Sequence, residues 1–250
     1  MYQSRFIKKW GVSVVLVVRK KTVVTFAVAI LTLSILCVGI YEKTASPASA
    51  LPVSNRVIIL DAGHGGQDGG AVGSDGTVEK DLNLKVALKV QKLLEQSGCT
   101  VFMTRSDDRS ISSIEDDIKK QRKVADLNNR KQMTKDLQVE AFVSIHMNTY
   151  TDPQYSGTQV FYSESPELSK SLAEMIQEEV RVVDSENTRA AKNGSKGIFI
   201  LNDTSIPSVV VECGFLSNEK DLARLKTDDY QQKLATAIYN GIMKFYAAQS

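Results

Sequence analysis

The chain has 250 residues, with 31 Lys and Arg against 29 Asp and Glu, 42% hydrophobic residues, 15 Gly, 3 Cys and 2 His. This composition is that of a globular protein and excludes a disordered, collagen-like or disulfide-rich chain. Residues 1–43 carry seven Lys or Arg and one Glu, so the remainder of the chain is slightly acidic. A body without basic clusters argues against nucleic acid as a partner.

The N-terminal segment is predicted to meet a membrane. The run from Thr22 to Tyr41 holds twenty residues without a charge, enough to cross a hydrocarbon layer of about 30 Å as a helix. Six basic residues precede it, which predicts a cytoplasmic N-terminus and an exported body. The length of this uncharged run favours a membrane anchor, formed by residues 1–43, that is not cleaved. Two alternatives stay open: cleavage of a signal peptide after Ala50, in the small-residue motif Ala48-Ser49-Ala50, or a buried helix of a soluble core.

Residues 44–55 have the Pro- and Ser-rich composition of a linker, and residues 56–250 are predicted to form one domain. In that domain, apolar strands alternate with amphipathic helices, which indicates an α/β three-layer fold with a mostly parallel or mixed sheet covered by helices on both faces. Strands are predicted at 57–60, 100–104, 141–145, 158–162 and 209–211, and helices at 79–97, 122–135, 168–180 and 234–245.

A glycine-rich loop follows the first predicted strand and contains a histidine. Seven of the 15 glycines lie in Gly63–Gly76, around His64. The loop lacks both common phosphate-binding patterns, Gly-Lys-Ser/Thr and G-x-G-x-x-G, which makes nucleotide binding a weak alternative. The second histidine, His146, ends another predicted strand. A structural role for His146 is an equal alternative when it is considered alone.

Two glutamates complete a possible metal site. Glu79 opens a predicted helix, where a capping position behind Thr77 is the simpler explanation. Glu212 ends an apolar strand, where a charge is costly unless it is paired or coordinated. Such strand and helix ends converge at one edge of an α/β sheet. Two His and one Glu are the ligands of an open catalytic zinc site, and a further carboxylate could act as the base.

The ordered blocks DAGHGG, VEKD, FVSIHMN and VVVECGFLSN resemble the zinc-dependent N-acetylmuramoyl-L-alanine amidases of the amidase-3 type. The resemblance implies that His64, Glu79 and His146 bind one Zn²⁺, that Glu212 is catalytic and that Asn148 is a pocket residue. It also implies cleavage of the amide between N-acetylmuramic acid and L-alanine in peptidoglycan. The short exported form resembles the sporulation and germination members, which act on spore-cortex peptidoglycan, with an exported accessory protein as a possible further partner.

Two rival functions remain from the sequence. Cys213 could be the nucleophile of a cysteine amidase with His146 as its base, although Glu212 and Cys213 point to opposite faces of a strand. The chain could instead be an exported peptidoglycan-binding module without catalysis. Cys99 and Cys213 could be free thiols or a disulfide.

Overall fold

A computed structural model of the chain describes residues 3–9, 12–44, 51–112 and 122–249. The chain divides into two compact units, Met1–Ala50 and Leu51–Ser250. Residues 51–55, inside the predicted linker, belong to the second unit: Val53 is fully buried in its core, and the Asn55 amide donates to the Gly98 carbonyl oxygen at 2.9 Å.

The first unit contains a hairpin that the sequence does not predict, followed by a helix. Strands β1 (Gln3–Lys9) and β2 (Val12–Val18) pair antiparallel, and helix α1 spans Lys20–Thr44. The predicted membrane span is not supported, because among the residues that the structure describes no helix is both long and apolar enough to cross a membrane. The possible signal-peptidase motif at residues 48–50 lies outside the described residues.

One mixed sheet organises the second unit, as the sequence predicts. Its order is β4-β3-β5-β8-β6-β7, where β4, β3, β5 and β8 are parallel to one another and β6 runs antiparallel to β8. The strands are β3 (Val57–Ala62), β4 (Thr100–Met103), β5 (Ala141–Asn148), β6 (Gln159–Tyr162), β7 (Lys192–Asn193) and β8 (Ser208–Phe215).

Helices cover both faces of this sheet, which confirms the α/β fold. The helices are α2 (Glu79–Gln96), α3 (Arg122–Asp136), α4 (Leu168–Val183), α5 (Glu219–Leu225) and α6 (Asp228–Ala247), with a single 3-10 turn at Phe199–Leu201 among the described residues. Helices α2, α4 and α6 pack over the larger hydrophobic cluster on one face. Helix α3 and the 3-10 turn cover a smaller cluster on the other.

The alternation of side chains along the central strands decides which face of the sheet carries the polar residues of the strand ends. In β8, Val209, Val211 and Cys213 join the larger cluster, whereas Val210 joins the smaller one. Because successive residues of a strand point to opposite faces, Glu212 projects on the same side as Val210. Strands β3 and β5 alternate in the same way, so the polar residues near their carboxyl ends lie on the side of α3.

Candidate active site

Strand β3 leads into a strained turn that carries His64. Strand β3 ends at Ala62, and His64 has a φ of 60°, in the left-handed region that residues with side chains rarely adopt. Such a conformation costs on the order of 1–3 kcal/mol and persists where the surroundings fix it. Arg130 fixes the backbone conformation of His64, because its Nη2 donates to the His64 carbonyl oxygen at 2.8 Å.

Site side chains occupy the space that a Cβ would take at two glycines of the loop. A Cβ on Gly63 would lie 2.2 Å from His146 Nε2. At Gly70, where φ is +71°, a Cβ would lie 2.5 Å from Glu79 Oε2. Because non-bonded atoms do not approach so closely, a side chain at either position would displace a site residue. Close packing against His146 and Glu79 therefore explains these two glycines.

Glu79 is the central acceptor of the site. It is 3% exposed, and its Oε1 lies 2.9 Å from His146 Nδ1 and 3.2 Å from His64 Nε2. The same oxygen accepts the Met147 amide at 3.1 Å, and Oε2 accepts the Ala71 amide at 2.8 Å. The carboxylate thus joins β5, the glycine-rich loop and the start of α2.

The helix-capping alternative for Glu79 is not what the structure shows. The N-cap of α2 is Val78, which has extended backbone angles and makes no side-chain capping bond. Glu79 is the first helical residue, and its carboxylate accepts hydrogen bonds from the loop, from β5 and from the side chain of Asn83 one turn along the helix. The helix start therefore places this carboxylate in the site and does not use it as a cap.

Three donor side chains form a cluster that fits a metal ion. One donor atom from each of His64, Glu79 and His146 lies within 4.8 Å of the others. The two imidazole rings meet edge to face, with centroids 4.9 Å apart. Two imidazoles and one carboxylate are the donors of open zinc sites, which keep a fourth position free. The sequence-predicted ligands are therefore together in space, although they come from three separate segments.

The charges of the cluster are coupled. Burial alone would raise the pKa of Glu79, but hydrogen bonds with His146 and His64 outweigh it and hold this pKa well below its usual range. Burial would lower the pKa of His64, but hydrogen bonds with Glu79 and Asp68 raise it to about 9. The buried carboxylate is thus balanced by positive charge, which a metal cation would also supply.

Glu212 lies beside His146 on the neighbouring strand. The two residues are register partners across β5 and β8, so both side chains project from the same face of the sheet. Glu212 Oε2 is buried and has no hydrogen-bond partner within the described part of the chain. Burial raises the pKa of Glu212 to about 7, against the opposing charge of His146. A carboxylate of this kind can exchange a proton near neutral pH.

Two buried arginines, which sequence reasoning missed, hold the backbone of the loop that carries His64. Arg105 donates to the carbonyl oxygens of Ala62 at 2.8 Å and Gly63 at 2.9 Å. Arg130 donates to those of Ala62 at 2.9 Å and His64 at 2.8 Å. The three consecutive carbonyl groups that lead from β3 to His64 are therefore all bonded to guanidinium groups.

Asp61 neutralises the positive charge of one of these arginines, Arg130. It is 1% exposed, pairs with Arg130 and accepts a hydrogen bond from Thr104 Oγ1 at 2.7 Å. Burial alone would raise the pKa of Asp61, but the Arg130 charge outweighs it and lowers the pKa to about 2. The sequence does contain a signal for this pair. Asp61 ends an apolar strand, directly before Ala62-Gly63-His64, and a buried Asp in such a position needs a partner.

Asn148 and Cys213 lie at different places relative to the cluster. Asn148 projects near the end of β5, two residues after His146, and its Oδ1 accepts the Thr149 amide at 2.8 Å. Cys213 is fully buried among the apolar residues on the opposite face from Glu212. Burial raises the pKa of the Cys213 thiol far above its usual range, which removes the thiolate that a nucleophile needs. Cys99 and Cys213 are both free thiols.

Comparison with known proteins shows the family to which this chain belongs. The sequence profile of N-acetylmuramoyl-L-alanine amidases matches residues 58–244. The chain is 36% identical over 197 residues to the germination-specific N-acetylmuramoyl-L-alanine amidase of Bacillus subtilis, a match covering 79% of this chain and 82% of the relative.

Two solved structures show the same fold. The CwlD amidase from Clostridioides difficile, in complex with the GerS lipoprotein, has a TM-score of 0.74 at 45% identity, covering 78% of this chain and 100% of that one. The catalytic domain of CwlV, an N-acetylmuramoyl-L-alanine amidase from Bacillus (Paenibacillus) polymyxa, has a TM-score of 0.65 at 32% identity, covering 76% and 97%.

Proposed function

Because the chain belongs to the N-acetylmuramoyl-L-alanine amidase family and is such an amidase, we propose that it works with one zinc ion held by His64, Glu79 and His146. The support is the donor set itself: two imidazoles and a carboxylate within 4.8 Å of one another. The imidazole side chains are 18% and 22% exposed, so one side of the cluster is open to a substrate.

The Glu212 carboxylate, whose Oε2 has no hydrogen-bond partner in the described part of the chain, supports a general acid and base. When bound, the zinc ion would act as a Lewis acid on the scissile carbonyl and make a nearby water more acidic. Glu212 accepts a proton from the water that attacks the lactyl carbonyl, and returns it to the amine of L-alanine as the C–N bond breaks. Asn148, on the same face as His146, contributes to the pocket.

The observation that carries this proposal is the buried Glu212 Oε2, which has no hydrogen-bond partner among the described residues and lies on the strand beside a candidate metal ligand. The test is mass spectrometry of muropeptides after incubation of the purified full chain with peptidoglycan, with and without a chelator. We expect free stem peptides and glycan with unsubstituted lactyl groups, formed only without chelator. Binding without cleavage would favour the alternative of a non-catalytic module.

We assign the activity to the spore cortex, in its formation or in germination. The support is the likeness to the germination-specific amidase of Bacillus subtilis. Spores of a strain that lacks this chain should fail to complete germination, while vegetative growth and separation proceed normally. A defect confined to vegetative cells would contradict the assignment.

The catalytic domain acts outside the cytoplasm in this proposal, where peptidoglycan is. The basic residues before the uncharged run Thr22–Tyr41 support export with a cytoplasmic N-terminus. Protease added to intact protoplasts should digest the domain of an attached chain, and a mature N-terminus at Leu51 would show release by cleavage. Protection of an epitope at Ser250 would reverse the proposed topology.

An exported accessory protein is a further proposed partner. The support is the solved CwlD amidase, which is in complex with the GerS lipoprotein. Affinity purification of the tagged chain from sporulating cells should recover one exported protein in constant proportion. Zinc content and activity measured before and after its removal would show whether that partner affects metal loading.

A further inference from the structure

A cavity of about 420 Å³ is lined in part by Tyr155, Arg189, Lys220 and Arg224. It opens at the start of β6, beside the end of β8. Because β6 runs antiparallel to β8, the start of one strand and the end of the other lie at the same edge of the sheet. The cavity is therefore at the edge that carries His146 and Glu212.

Three cations among the described residues line this cavity, and two of them are neutralised by carboxylates. Lys220 pairs with Glu186, and Arg224 pairs with Asp184 at 2.6 Å and with Asp221 at 2.6 Å. Arg189 makes no ion pair with any residue in the described ranges. The cavity thus presents one uncompensated guanidinium group.

The surroundings of Arg189 hold its guanidinium in place while leaving donors free. Its Cζ lies 4.7 Å from the Phe215 ring centroid and 5.8 Å from that of Tyr155, both within cation–π range. Nε donates to the Ser156 carbonyl oxygen at 2.7 Å, and Nη1 donates to Gln159 Oε1 at 3.0 Å. A guanidinium has five N–H donors, so these bonds leave the Nη2 end available to a ligand.

The same residues connect this guanidinium to the catalytic carboxylate. Gln159 is the register partner of Glu212 across β6 and β8, and the side chains of such partners are neighbours on one face. Gln159 is 3% exposed, and its Oε1 accepts from Arg189 while its Nε2 donates to the Ala190 carbonyl oxygen at 2.8 Å. Arg189 is thus one residue removed from Glu212.

We propose that Arg189 binds a carboxylate of the stem peptide and so selects peptides with a free acid beyond L-alanine. A pre-oriented guanidinium fork matches a carboxylate, and charge-assisted bonds of this kind are the strong ones. In the intact substrate, the lactyl carboxyl is part of the scissile amide, so a free carboxylate near the cleavage point belongs to the peptide. This inference rests on the proposed amidase mechanism at Glu212.

The test compares two soluble muramoyl peptides that differ only in whether the peptide carboxyls are free or amidated. For the parent chain, we expect kcat/KM to be roughly 10- to 100-fold higher for the free acid, the effect of one charge-assisted contact. Arg189→Gln should bring this ratio near 1 by raising KM for the free acid, with kcat changed little. Arg189→Lys, which keeps the charge but loses the fork, should give an intermediate ratio.

Lys220→Gln is the matched control, because it removes a cation of the same cavity that is already paired with Glu186. It should leave the ratio as in the parent chain. A parent that does not discriminate, or an Arg189→Gln variant that slows both substrates equally, overturns the inference and leaves the amidase mechanism standing. Cleavage of neither substrate by the parent overturns both.

A competition experiment distinguishes a carboxylate of the stem peptide from the lactyl carboxylate of the glycan. Free N-acetylmuramic acid carries a lactyl carboxylate and no peptide, and it should inhibit the parent and Arg189→Gln alike. Inhibition that Arg189→Gln abolishes, with the ratio between the two substrates unchanged, would assign the site to the glycan and overturn the peptide assignment.

Discussion

His146 and Glu212 stand opposite each other on adjacent parallel strands, and both project from the sheet face that α3 covers. The next residue, Cys213, projects into the core under the larger helical layer. The alternation of one strand therefore places the proposed acid and base, Glu212, and a core thiol at consecutive positions on opposite faces of the sheet.

Glu212→Gln keeps the shape of the side chain and removes the base. We expect turnover to fall by roughly 10²- to 10⁴-fold, the usual contribution of a general acid and base, with zinc content unchanged. Steady-state kinetics and elemental analysis of the same preparation measure both quantities. Loss of the metal in this variant would make Glu212 a ligand.

Cys213→Ala is the companion variant for the thiol mechanism. It removes a buried sulfur from the apolar face and should lower stability while leaving most of the turnover, because the thiol is remote from the cluster face. Abolished activity in Cys213→Ala, together with insensitivity to chelators, would replace the zinc mechanism with the thiol one.

His146→Ala should reduce zinc content from about one ion per chain to a small fraction, because three donors are needed for a stable open site. Plasma mass spectrometry after dialysis measures this directly. A variant that binds zinc as tightly as the parent chain would show that the ligand assignment is wrong.

Gly63→Ala should also impair metal binding, although it changes no ligand. The new Cβ would lie 2.2 Å from His146 Nε2, so the imidazole or the loop must move. We expect zinc affinity to fall by roughly 10-fold or more, comparable to the loss of a supporting residue around a metal site. Gly197→Ala, where a Cβ meets nothing within 4 Å, is the matched control and should bind zinc normally.

The Asp61–Arg130 pair should make part of the stability depend on pH. Because the pKa of Asp61 is lowered to about 2, its ionised form stabilises the fold above the usual pKa of 3.8, and this stabilisation is lost as pH falls through 2. The difference in unfolding free energy between the parent and Asp61→Asn should therefore shrink by about 2 kcal/mol between pH 5 and pH 2. Urea unfolding at both pH values checks this, and a difference that stays constant would contradict it.

Local patterns predict most of the second unit. Helix α2 is expected at 79–97 and found at Glu79–Gln96, and the strand at 141–145 is found at Ala141–Asn148. Strands β5 and β8 are longer than predicted, because polar site residues continue each strand after its apolar run and an apolar pattern does not detect them. Helix α5 was missed because a seven-residue helix gives too little periodicity to detect.

The sequence predicts the histidines of the site but not the arginines that support it. His64 and His146 are the two histidines of the chain, so counting alone draws attention to them. The roles of Arg105 and Arg130 depend on bonds to a residue 43 and 68 positions away in sequence, which no local pattern encodes. The same holds for Arg189, because its lack of an ion pair with any described residue can be seen only once the partners of Lys220 and Arg224 are known.

The guanidinium bonds to the loop that carries His64 bear on what removal of the metal would do. Arg105 and Arg130 hold the carbonyl oxygens of Ala62, Gly63 and His64, and none of these bonds uses a side-chain atom that is proposed to bind zinc. The fold should therefore not depend on zinc, unlike that of small zinc domains, which unfold without their metal. We expect a chelated chain to keep its native circular dichroism, to be inactive, and to regain activity when zinc is returned, without a refolding step.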